Sequence, residues 1–275
     1  MSSFRYAAPT SLEEAIALLS QNTGARVVAG GHRLLVEPER SRLAGGLVVD
    51  LRRIPGLAGI ETQPDGRLKI GAMATLAAIA SSGAVQNGWR ALAEAAQGSE
   101  DAQIRNRATI GGSLAFGDPE ADLPAAILAL DAKVEKSGPV ITGFLFPAAA
   151  RRPGSAYEKM RHPATLRAIC GVAASISLGE NGAVSTAGVA LTGAADRAAR
   201  LAAVENALLN QQPRPELLAA AAAAAREQLT FRGDHFASAD YRRHLAGVIA
   251  ERALRRAVER AVAVGAKTHR AGGDQ

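Results

Sequence analysis

The chain is poor in the residues that make covalent or metal-held scaffolds. Cys170 is its only cysteine, which excludes an internal disulfide and any iron–sulfur cluster held by this chain's own cysteines. His32, His162, His235, His244 and His269 are scattered, with no pair at metal-ligand spacing, which argues against a protein-built zinc site. Aromatic residues are only 4%. No apolar run reaches the roughly 18 to 20 residues of a membrane span. The opening Met-Ser-Ser-Phe-Arg-Tyr lacks the charged head and apolar core of a signal peptide. These absences together predict a cytoplasmic chain. Neither the spaced Gly-x-Gly-x-x-Gly of a Rossmann site nor a lysine-containing P-loop is present.

What remains is a globular composition, 48% hydrophobic and leaning on alanine, over 275 residues. That length suits one large domain or two modest ones. The formal net charge is +6, but basic residues interleave with acids and no nucleic-acid-binding motif accompanies them, so no nucleic-acid partner is expected.

Hydrophobic periodicity and turn residues divide the chain. Ser11 to Ser20 reads as a helix with a Ser11/Glu14 capping box. Arg26 to Gly31 and Leu47 to Leu51 read as buried strands around it, an α/β unit. Pro64-Asp-Gly66 turns a hairpin into Leu68–Gly71, Thr75 caps a short helix, and Trp89 to Ala96 is a second. Leu123 to Leu130 is a helix or buried segment leading to a strand at Ala132–Glu135. Prolines and glycines break any long element in 137–156. Ala168 to Leu178 and Ala183 to Leu191 form a hairpin about Glu180-Asn-Gly182. Helices follow over Asp196–Leu209, Pro213–Leu229 and Ser238–Val264, and the tail from Thr268 reads as disordered. The arginines of the last helix make either a solvated face or a partner contact.

Two glycine pairs carry the chemistry. Gly30-Gly31 sits in Val27-Val-Ala-Gly-Gly-His-Arg-Leu-Leu35, and Gly111-Gly112 in Gln103-Ile-Arg-Asn-Arg-Ala-Thr-Ile-Gly-Gly-Ser113. Each is either an ordinary turn or a place where backbone N–H groups approach a phosphate unhindered by a Cβ. Asp118-Pro-Glu-Ala-Asp122-Leu-Pro124 brings carboxylates to the start of an apolar helix. Asp122 reads equally as a helix cap or as an acceptor for sugar or ribityl hydroxyls. Lys159 reads by itself as a solvated lysine.

The segment Arg105 to Ser113, with Asp118-Pro and Asp122-Leu-Pro124 behind it, closely resembles the FAD-binding medium subunit of the molybdenum hydroxylases, the carbon monoxide dehydrogenase and xanthine dehydrogenase family. Ala29-Gly-Gly-His32 is similar to that family's first FAD loop and Asp50-Leu-Arg-Arg-Ile-Pro-Gly-Leu57 to the segment after it. Tyr157-Glu-Lys-Met-Arg-His-Pro163 and Ser238-Ala-Asp-Tyr-Arg-Arg-His-Leu245 resemble its C-terminal half. The resemblance implies an α+β fold: a two-subdomain FAD-binding domain of the vanillyl-alcohol-oxidase type over 1–160, divided into 1–56 and 57–160. A C-terminal domain over 161–275, an antiparallel sheet with helices, would follow.

It further implies that Ala29, Gly30, Gly31, His32 and Arg33 wrap a diphosphate through backbone donors. Thr109, Ile110, Gly111, Gly112 and Ser113 would oppose them, with the Thr109 and Ser113 hydroxyls as extra donors. Asp122 would accept from flavin hydroxyls and Lys159 would lie near the ring system. No residue would need to be catalytic. Electrons would arrive from a small iron–sulfur subunit, itself fed by a large molybdenum-binding subunit, in a dimer of heterotrimers. They would leave through FAD to an external acceptor. Two departures from the pattern stand out. Arg33 replaces a small hydroxyl residue, and the stretch before Tyr157, with Gly143-Phe-Leu-Phe-Pro147 and Arg151-Arg-Pro-Gly154, is short. They motivate two alternatives: a stand-alone flavoprotein of the same fold working as an oxidase or a non-redox cyclase, and a flavin-less structural subunit.

Overall fold

The computed structural model describes residues 4–36, 39, 43–150 and 153–271. The first of its three sheets is parallel, in the order β1-β3-β2, from β1 (Arg5–Ala7), β2 (Arg26–Val28) and β3 (Leu47–Asp50). Helix α1 (Leu12–Gln21) covers one face, setting Ala15 among Leu47, Val49 and Leu51. Its start follows the expected chemistry with one difference. Ser11 Oγ accepts from Glu14 N at 3.2 Å, but Glu14 Oε2 reaches back to the N–H of Thr10, at 3.0 Å.

The second sheet is antiparallel, in the order β4-β5-β7-β6, from β4 (Ile60–Thr62), β5 (Leu68–Gly71), β6 (Lys133–Ser137) and β7 (Val140–Phe146). The crossover between β5 and β6 holds α2 (Leu76–Ser81), α3 (Gly83–Gly88), α4 (Arg90–Gly98), α5 (Ala102–Arg105), α6 (Ile110–Phe116) and α7 (Leu123–Ala129). Ile79, Leu92, Ile110 and Leu123 of these helices meet Leu68, Ile70, Phe144 and Phe146 in one core. Ala91, Ala93, Ala95 and Ala96 fill the rest of the α4 contact, where their small volume lets backbones approach closely.

The third sheet is antiparallel, in the order β11-β10-β9-β8, from β8 (Pro153–Arg161), β9 (Ala168–Leu178), β10 (Val184–Thr192) and β11 (Ala199–Arg200). Helices α8 (Ala202–Leu208), α9 (Pro215–Ala223) and α10 (Ala239–Ala271) cover one face. Val172, Ile176 and Leu191 pack there against Leu245, Ile249 and Leu254. The long helix lies so close that a Cβ on Gly154 would stand 1.9 Å from Ala257 O. Tyr157, Ala173 and Ala190 turn the other way and join the core of the second sheet. No helix of the described residues is long and apolar enough to cross a membrane.

Several expectations need correction. The stretch 137–156, where prolines and glycines break any long element, still holds the seven-residue β7 and the start of β8, with a turn at Gly138 (φ +53°). Its Pro153 begins a strand, where no inner ladder bond is lost. Arg151 and Arg152 lie outside the described residues. The helix expected over 196–209 begins only at Ala202, because Ala199–Arg200 pairs with β10. The next helix is shorter than 213–229, and its alanine run ends in a 3-10 turn over Ala224–Arg226. Helix α10 continues past Thr268 to Ala271, and 272–275 fall outside the described residues. Strand β8 pairs with β9 from Pro153 to Arg161.

Candidate cofactor site

The first glycine pair follows β2. Gly31 has φ +78°, a conformation that costs glycine nothing. Gly30 is glycine for another reason: a Cβ there would stand 1.9 Å from Arg107 O. This loop therefore lies directly against the segment leading to the second pair. The N–H groups of Gly30, Gly31, His32, Arg33 and Leu34 have no acceptor among the described residues.

The second pair is not a loop, as expected, but the first turn of α6. Thr109 caps that helix, its Oγ1 accepting from Gly112 N at 3.1 Å. Ile110 N donates to Ala74 O at 3.1 Å, Gly111 N to Ala72 O at 2.9 Å and Ser113 N to Thr109 O at 2.9 Å. Gly111 is glycine because a Cβ would meet Ala72 at 2.7 Å. The N–H groups of Ile110, Gly111, Gly112 and Ser113 are all in use, so the turn offers the hydroxyls of Thr109 and Ser113 and the N–H of Thr109, which has no acceptor among the described residues. The two glycine pairs differ in kind: the first supplies free donors, while the second packs α6 against the end of β5.

Between them lies a cavity of about 850 Å³, inside the roughly 300–1,000 Å³ usual for small-molecule sites. Every expected site residue lines it except Ile110 and Lys159. Ile110 is fully buried in the second core, and the Lys159 side chain is 9% exposed. His32 Nε2 lies 2.7 Å from Glu100 Oε2, but off the N–H axis, so this buried atom makes no directed hydrogen bond. Arg33 NH2 holds Asp118 Oδ2 at 2.7 Å, its guanidinium carbon lies 5.1 Å from the centre of the Phe116 ring, and its buried Nε has no acceptor.

Asp122 stands at the N-cap position of α7 and is closed to solvent. It makes no cap hydrogen bond to α7. Its Oδ1 accepts from Tyr157 OH at 2.6 Å and Lys159 Nζ at 2.8 Å, and its Oδ2 from Ser99 Oγ at 2.8 Å and Lys159 Nζ at 3.0 Å. A carboxylate has about four acceptor positions, and these contacts fill them. Lys159 spends a further N–H on Leu166 O at 2.8 Å. It is thus a buried counter-ion rather than a solvated lysine. Burial, reinforced by the Asp122 charge, raises the Tyr157 hydroxyl well above the ordinary tyrosine range, so it stays a donor.

Ser99, Glu100, Tyr157 and Arg167 were not singled out from the sequence. The Tyr157-x-Lys159 spacing, two residues on one strand face, was the available signal for Tyr157. Arg167 gave none. It lines the cavity and bridges Asp118 and Glu120, the latter at 3.0 Å.

Residues 2–140 match the family model described as the FAD binding domain in molybdopterin dehydrogenase. Residues 155–257 match the CO dehydrogenase flavoprotein C-terminal domain. The carbon monoxide dehydrogenase medium chain of Hydrogenophaga pseudoflava is 34% identical over 91% of this chain and 96% of its own. The 6-hydroxypseudooxynicotine dehydrogenase complex subunit alpha of Paenarthrobacter nicotinovorans is 32% identical over 94% of this chain and 96% of its own. A solved structure of carbon monoxide dehydrogenase from Hydrogenophaga pseudoflava, lacking the Mo-pyranopterin moiety of its molybdenum cofactor, matches with TM-score 0.88 and 36% identity. It covers 94% of this chain and 98% of the matched one. With both halves matched in order and in fold, the chain belongs to the FAD-binding medium subunits of the molybdenum hydroxylase family.

Proposed function

We propose that this oxidoreductase subunit passes electrons from iron–sulfur clusters on a small partner chain, through FAD, to an external acceptor. Molybdenum chemistry would take place on a large third chain, in a cytoplasmic dimer of heterotrimers that involves no nucleic acid. The observation that carries the reading is the run of unengaged N–H donors from Gly30 to Leu34 on a dinucleotide-sized cavity. Such a run suits the two negative charges of a diphosphate. Ala29, Gly30, Gly31, His32 and Arg33 would hold it from one side, and the hydroxyls of Thr109 and Ser113 from the other. Ile110, Gly111 and Gly112 support that side through packing. Asp122 and Lys159, closed on each other, would shape the wall beyond. FAD, when bound, supplies the electron storage, and the protein sets its position and surroundings.

The two departures in sequence do not favour a stand-alone reading. Arg33 is absorbed by Asp118 and Phe116, and β6 and β7 close as a hairpin on β5, with one register shift at Glu135/Lys136. The cofactor-binding and C-terminal units are proposed to divide in 147–152, between β7 and β8.

The test has two parts. The purified chain should show a flavin absorption spectrum, or acquire one with added FAD; a colourless protein that takes up none would overturn the cofactor assignment. From its native host it should copurify with a molybdenum-binding and an iron–sulfur chain. Recovery as a flavin-loaded but partner-free protein would overturn the electron-transfer role.

A further inference from the structure

The turn joining β8 to β9 holds a bulky residue in a conformation that bulky residues avoid. Leu166 has φ +60°, in the left-handed region where a branched side chain is an outlier. Such strain persists only where the surroundings over-determine it, and an observed outlier is a reason to look for a task.

The surroundings here are unusually complete. His162 N donates to Arg167 O at 2.8 Å and Leu166 N to His162 O at 2.9 Å, closing the turn on itself. His162 Nδ1 accepts from Ala164 N at 3.2 Å and Thr165 N at 3.1 Å. Lys159, anchored on Asp122, pulls on Leu166 O at 2.8 Å. The residue that emerges from this turn is Arg167, whose guanidinium enters the cavity wall and grips Asp118 and Glu120. Asp118 in turn holds Arg33 at 2.7 Å, in the loop whose N–H donors are free. The far side of the 118–121 segment is fixed too, by Gly193 N on Pro119 O at 2.7 Å and Thr192 Oγ1 on Ala121 O at 2.8 Å.

From this we infer that the 162–167 turn is a strained clasp whose task is to hold Arg167 in the cavity wall. Arg167 and Asp118 together then pre-set Arg33 and the first glycine loop for a dinucleotide. Leu166 and Lys159 are positioning residues: they act on the loop through Arg167 and Asp118 and need touch no ligand. The inference rests on the cofactor reading given above, and it makes the C-terminal half a working part of a site that the N-terminal half alone would leave slack. Pre-organisation of this kind raises affinity by reducing the ordering that binding must impose.

The experiment titrates FAD into the full-length chain and its variants Leu166→Gly and Arg167→Gln, with the thermal midpoint of each ligand-free protein measured alongside. Glycine tolerates the positive φ, so Leu166→Gly is expected to keep or raise the midpoint and yet weaken FAD binding by about tenfold. Arg167→Gln is expected to weaken binding by a similar factor, with Arg167→Lys recovering part of it. A purely structural role would move the two readouts of Leu166→Gly together. Both falling together, or both variants binding FAD like wild type, overturns the inference. A wild-type chain that binds no FAD overturns the cofactor reading instead, so the two failures are distinguishable.

Discussion

Gly30 of the first cavity loop rests against the carbonyl of Arg107, so closely that a Cβ would stand 1.9 Å from that oxygen. This contact brings together two segments more than seventy residues apart and sets one wall of the cavity against the other.

Gly30→Ala is therefore expected to force the loops apart. So is Gly111→Val, which would press on Ala72, already 2.7 Å from a Cβ at that position. Overpacking of this kind costs about 1–3 kcal/mol. Both variants should lose FAD retention while the third sheet and α10 stay folded. Flavin absorbance after gel filtration, with circular dichroism for the helices, checks this; flavin retained at wild-type stoichiometry would count against the assigned walls.

Asp122 and Lys159 are a buried pair, with side chains 3% and 9% exposed. Removing one partner leaves the other charged and uncompensated, at a cost of about 3–5 kcal/mol. Asp122→Asn and Lys159→Met should each destabilise by that order, and the double variant by less than the sum. Denaturant unfolding followed through Trp89 reads the result. This lone tryptophan is 6% exposed, with Nε1 on Pro147 O at 3.1 Å.

Glu94 makes stability depend on acid. Burial pushes its carboxyl up, but hydrogen bonds from Arg260 and the Tyr157 N–H, with the Arg260 and Arg256 charges, outweigh this and hold it below the usual 4.5. A carboxylate depressed in the folded state stabilises fully above its unfolded value and loses that contribution as pH falls through the folded one. The thermal midpoint should thus hold above about pH 5 and drop below it. Glu94→Gln should lower the plateau and flatten the drop; an unchanged profile would remove Glu94 from this role.

Cys170 is wholly buried in the core of the third sheet, and burial pushes its thiol up to about 12. A thiol so placed has almost no thiolate at neutral pH. The native chain should ignore a thiol reagent at pH 8 and react once per chain when unfolded. Fast native labelling would mean that the sheet opens.

The local chemistry could be read directly from the residues. Thr75 caps α2, accepting from Ala78 N at 3.2 Å, and Asn181-Gly182 turns β9 into β10 with Gly182 at φ +77°. Those outcomes depend on neighbours along the chain, and the family resemblance rested on the same short motifs. Strand β7 was not legible in 137–156 because proline and glycine there were weighed alone. Strand β7 exists because β5 and β6 pair with it on both sides.

The candidate site divides in the same way. The two glycine pairs and the Asp122 carboxylate stood out in the sequence, while Lys159 entered only through the family resemblance. The sequence did not determine which glycines free donors for a ligand and which only allow two backbones to touch, because that depends on Arg107 and Ala72 arriving from elsewhere. Nor did it pair Lys159 with Asp122 or carry Arg167 into the cavity wall. Those contacts join residues tens of positions apart, and burial and geometry, set only when the third sheet docks on the second, decided them.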